Sequence, residues 1–74
     1  MTLEPSKDLA GAMERLEARA ICLEADAEEC RIVADKLPSY SQGRAMPLYR
    51  RADDCARRAA DIRTVLTALR EAMK

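Results

Sequence analysis

The sequence predicts an all-α fold: an antiparallel two-helix hairpin, coiled-coil-like with an Ala-rich seam, pairing into a four-helix bundle. Three observations carry that prediction. Alanine fills 14 of the 74 positions and Leu, Arg, Glu, Met and Lys much of the rest, all good helix formers. Apolar residues recur in steps of four and three along two long segments. One short cluster of Pro, Ser and Gly separates those segments. β-branched and aromatic residues, which favour strands, are scarce.

The first helix is predicted over about residues 6–37. Pro5 and Ser6 suit its start, because serine caps and proline is tolerated in a first turn. Leu9, Met13, Leu16, Ala20, Leu23, Ala27, Cys30, Ala34 and Leu37 keep the spacing throughout. The stretch LPSYSQGRAMP follows, and a turn is predicted over 38–47. The second helix is predicted over about 48–73, with Pro47 near its first position. Its seam is Leu48, Ala52, Cys55, Ala59, Ile62, Leu66, Leu69 and Met73. Two unbroken heptad seams are the pattern of coiled-coil packing, and a short connection makes the helices antiparallel. The whole chain, 1–74, forms one helical-hairpin domain.

Two registers satisfy the seam. One sets Leu23 against Ala59 and Ile62 against Ala20; the other sets Leu23 against Leu66 and Leu37 against Ala52. Both bring Cys30 and Cys55 within about one layer. Charge divides along the chain: residues 1–43 carry five basic and nine acidic side chains, residues 44–74 eight and four. The two halves therefore attract each other.

Alanine stabilises helix but removes little apolar area from water. An isolated hairpin of this length is marginal, so further apolar contact is expected from a second copy or another helical protein. Candidate partner-interface residues are Ile21, Ala25 and Ile32, on a stripe facing away from the seam, with Val33 and Val65 flanking the seam.

No residue pattern points to catalysis. Histidine is absent, so a nucleophilic cysteine would lack its usual base, and three scattered thiols do not make a zinc site. Cys30 and Cys55 read as small core residues, and Cys22 lies off the seam. The acidic stretch Glu24, Asp26, Glu28 and Glu29 has no EF-hand spacing and reads as a solvated face. Catalytic residues, cofactor and metal are thus all read as none. No apolar run approaches the ~18 residues of a membrane span, no signal pattern opens the chain, and the odd cysteine count fits reduced thiols. A cytoplasmic protein without a membrane partner is the expectation.

Two features point to binding. Arg44, Arg51 and Arg58 recur every seven residues beside the seam, with Arg50 and Arg57 one position before the latter two. Such a stripe suits phosphate, and these five are the candidate nucleic-acid contacts. Asp53, Asp54 and Asp61 are placed to neutralise them within the helix, and Glu17, Glu24 and Asp26 across the hairpin. Tyr40, Met46 and Tyr49 gather near the turn, either covering the hairpin end or forming a recognition tip. The leading function is a non-enzymatic protein–protein interaction module: adaptor, chaperone or regulatory subunit. A dimeric RNA- or DNA-binding regulator is the alternative.

Overall fold

A computed structural model of the chain describes residues 7–74. Helix α1 spans Lys7–Lys36 and helix α2 spans Gln42–Ala72. A single 3-10 turn, Ser39–Ser41, joins them. The predicted start at Pro5 and Ser6 lies outside the described residues. The helices pack side by side as an antiparallel hairpin, 56 Å long and 18 × 13 Å across.

The break between the helices is set by Pro38. A residue preceding proline is pushed out of the helical region, and α1 stops at Lys36 accordingly. Pro38 is extended, with φ −66° and ψ 159°. The chain then turns at once: the Ser41 N–H donates to the Pro38 carbonyl at 2.8 Å. At the far end the Met73 N–H donates to the carbonyls of Leu69 and Arg70, closing α2.

The connection is shorter than the sequence predicts. Residues 42–47 are helical, so Arg44, Met46 and Pro47 belong to α2 and not to a turn. Proline at this depth removes one helical N–H, the one that would bond the Gly43 carbonyl. Gly43 and Pro47 are both exposed, so water can reach that carbonyl. The gain lies on the opposite side of the helix. Ala45 is buried one heptad before Ala52, which lengthens the seam.

The seam itself is as read from the sequence: each of its 17 residues is buried or half-buried. Its centre is a cluster of Ala20, Leu23, Ala27, Ala52, Cys55 and Ala59, with Cys30, Ala56 and Ile62 packed against it. Leu23 shares that cluster with Ala59, and Ala20 shares it with Ile62, while Leu66 lies outside it. Of the two registers, the first is the one adopted. Alanine at facing layers lets the helix axes approach closely, and the larger Leu and Ile fill the space left beside it. Cys30 and Cys55 both belong to this packing and both are free thiols, as is the exposed Cys22.

Candidate interaction surface

The hairpin has two long edges, and they differ. On one edge the helices are tied by polar contacts. Arg63 of α2 donates through Nε to Glu24 Oε2 and through Nη1 to Glu17 Oε1, each at 3.0 Å. Arg70 donates to the other oxygen of Glu17 at 3.2 Å. Towards the turn, Arg31 lies 3.8 Å from Asp53, and the Tyr49 hydroxyl donates to Asp35. Every ion pair or side-chain hydrogen bond between the helices, among the described residues, lies on this edge.

The electrostatics follow the contacts. Hydrogen bonds from Arg63 and then Arg70 hold the Glu17 carboxyl below its ordinary value, and Arg63 does the same to Glu24. Glu24 and then Glu17 in turn push the Arg63 guanidinium further up. The bond to Asp35 raises the Tyr49 hydroxyl above its ordinary range.

The other edge carries Ala12, Arg19, Asp26 and Val33 on α1 and Arg44, Arg51, Arg58 and Val65 on α2, each series at sevenfold spacing. No ion pair between described residues crosses it. Near the turn it opens into a shallow groove of about 230 Å³, lined by Asp26, Glu29, Cys30, Val33, Leu48 and Arg51. Val33 is 45% exposed and Val65 51%. Half-buried Cys30 and Leu48 form the groove floor, so seam residues reach the surface here.

The residues singled out in the sequence separate into three places. Val33, Val65, Arg44, Arg51 and Arg58 share the open edge. Ile21, Ala25 and Ile32 stand exposed on the outer side of α1, away from the groove. Tyr40, Met46 and Tyr49 lie at the turn end of the hairpin. Tyr40 is 91% exposed and covers nothing, Met46 is an exposed residue of α2, and Tyr49 is bonded to Asp35 on the tied edge.

The expected neutralisation of the arginines does not occur. Asp53 pairs with Arg31, and Glu17 and Glu24 are taken by Arg63 and Arg70. Arg44, Arg50, Arg51, Arg57 and Arg58 take part in no ion pair with a described residue. Arg63 and Arg70 are the structural arginines the sequence reading passed over. Their signal was present: Glu17 and Glu24 repeat at seven on one helix, and Arg63 and Arg70 repeat at seven on the other.

Comparison with family models, with curated proteins and with solved structures finds no match. Among the described residues, no helix is long and apolar enough to cross a membrane.

Proposed function

We propose that this chain is a small non-enzymatic interaction module, an adaptor, chaperone or regulatory subunit, that offers a helical face to another helix. The pairing completes a four-helix bundle with a second hairpin, from another copy or from another helical protein. The observation supporting this reading is the open edge, where half-buried seam residues meet exposed Val33 and Val65 with no cross-hairpin ties.

The shape argues the same way. The radius of gyration is 16.8 Å, against roughly 11 Å for a compact chain of this length. The accessible surface is 5729 Å², against roughly 4,600 Å² for a compact monomer of this mass. A rod with an alanine seam keeps too much apolar surface wet, and a docked helix would cover it. Sedimentation combined with circular dichroism tests the reading. A chain that is monomeric at micromolar concentration, fully helical and cooperative in melting would need no partner, and the reading would fall. Recovery of a second protein in fixed ratio from the source cell would support an adaptor.

A second reading has its own observation. The five arginines Arg44, Arg50, Arg51, Arg57 and Arg58 are exposed and outside every described ion pair, so they are available to phosphate. Interleaved aromatic residues that would stack on bases are lacking among them. A gel shift with short RNA hairpins that weakens steeply with salt would favour the regulator; no shift at low salt would remove it.

A further inference from the structure

Resting on the interaction-module reading, we infer that the open edge docks a second copy of this chain, with the two hairpins side by side and their turns at the same end. The choice of edge follows from asymmetry. Glu17, Glu24, Arg63 and Arg70 satisfy one another on the tied edge and have no need of a partner. The open edge holds exposed valines, a groove and charges of both signs with no mutual ties.

The choice of partner follows from size and charge. The broad face of the rod measures 56 × 18 Å, which accommodates the ~800 Å² that each partner buries in a standard interface. A twofold interface requires a surface complementary to itself. Here α1 is the acidic helix and α2 the basic one: residues 1–43 hold five basic and nine acidic side chains, residues 44–74 eight and four.

The choice of orientation follows from register. The contacts Arg31–Asp53 and Asp35–Tyr49 fix which residues stand level. Continued along both helices, that register puts Asp26 level with Arg58 and Val33 level with Arg51. A twofold axis parallel to the rod lays α1 of one copy on α2 of the next at the same level. Asp26 of each copy then meets Arg58 of the other, and Glu29 lies between Arg51 and Arg58. The arginine stems cover Val33 and its groove while the guanidinium groups reach the acids. Turning one hairpin end over end instead lays α1 on α1 and α2 on α2. The acidic helix would then face its own copy and the basic helix its own copy, and like charges so juxtaposed oppose docking.

Charge reversal across the pair tests this. The full-length chain should sediment as a dimer at tens of micromolar. Asp26→Arg and Arg58→Asp, each alone, should weaken self-association at least about tenfold. Mixing the two variants should restore the dimer, because opposite charges then meet between chains although each hairpin still carries like charges within itself. Should either single variant lose its helicity, the double variant Asp26→Arg/Arg58→Asp should dimerise with itself.

Three outcomes overturn the inference and separate it from the reading beneath it. Single variants that dimerise as well as the parent chain exclude this orientation and leave the interaction module standing. A parent chain that stays monomeric and melts without cooperativity assigns the edge to a different protein, and again only the second copy is lost. A parent chain that stays monomeric yet melts cooperatively removes both.

Discussion

At the scale of single residues, the alanines of the seam matter more than their size suggests. Ala20 and Ala52 are completely buried in the central cluster. A larger side chain there has no space to enter, and the helices must separate to admit it. Ala20→Leu should destabilise by about 1–3 kcal/mol, while Ala25→Leu, on the exposed outer side of α1, should stay within about 0.5 kcal/mol. Urea melts of the two variants check the contrast. The acid end of the stability profile belongs to Glu17 and Glu24. Both carboxyls are held below their ordinary value of 4.5 by Arg63. A carboxyl with a lowered folded value contributes stability that is fully present above its unfolded value and is lost as pH falls through the folded one. The melting temperature should therefore drop on acidification below about pH 4.5. Glu17→Gln/Glu24→Gln should melt a few degrees lower at neutral pH and lose that part of the acid dependence. Melts followed by circular dichroism between neutral and strongly acid pH show both effects.

The individual helices show what the sequence makes legible and what it hides. The seam could be read in full because a heptad pattern reports directly on which side chains share a face. The start of α2 could not. Proline and glycine usually mark a turn, and here Gly43 and Pro47 lie inside a helix that buries Ala45 on its opposite side. The register was also hidden: alanine layers accept either offset, and the contacts that select one involve Arg63, Arg70 and Tyr49, all outside the seam. Of the candidate site, Arg44, Arg51 and Arg58 were visible as a sevenfold repeat, and Val33 and Val65 as residues flanking the seam. The difference between the edges was not, since it depends on which acids the arginines of the opposite edge have already engaged. Gly43 offers a direct check on α2. Its backbone is not in the left-handed region, and an added Cβ meets nothing within 4 Å. Gly43→Ala should stabilise the chain by about 0.4–1 kcal/mol, readable as a higher urea midpoint with an unchanged slope. If 42–47 were instead a turn needing glycine, the same substitution would destabilise.

For the molecule as a whole, the governing feature is a rod too thin to shield its own apolar residues. Nothing in the fold compensates through length: both helices are already about 30 residues, and their seam is mostly alanine where it is most buried. Stability that depends on association changes with concentration, because mass action favours the folded complex. The melting temperature of this chain should rise steadily as its concentration is raised from micromolar to millimolar. A cooperative transition that stays fixed over that range would identify a self-sufficient hairpin.

The three thiols give the molecule a reporter of its own. Cys22 is exposed, Cys30 is half-buried at the groove floor and Cys55 is buried. An alkylating reagent should modify them in that order, since the reagent must reach the sulfur to attack it. Cys30 then serves as the gauge: whatever settles on the open edge slows its reaction, so the fall in its rate, counted by mass, measures occupancy without a label.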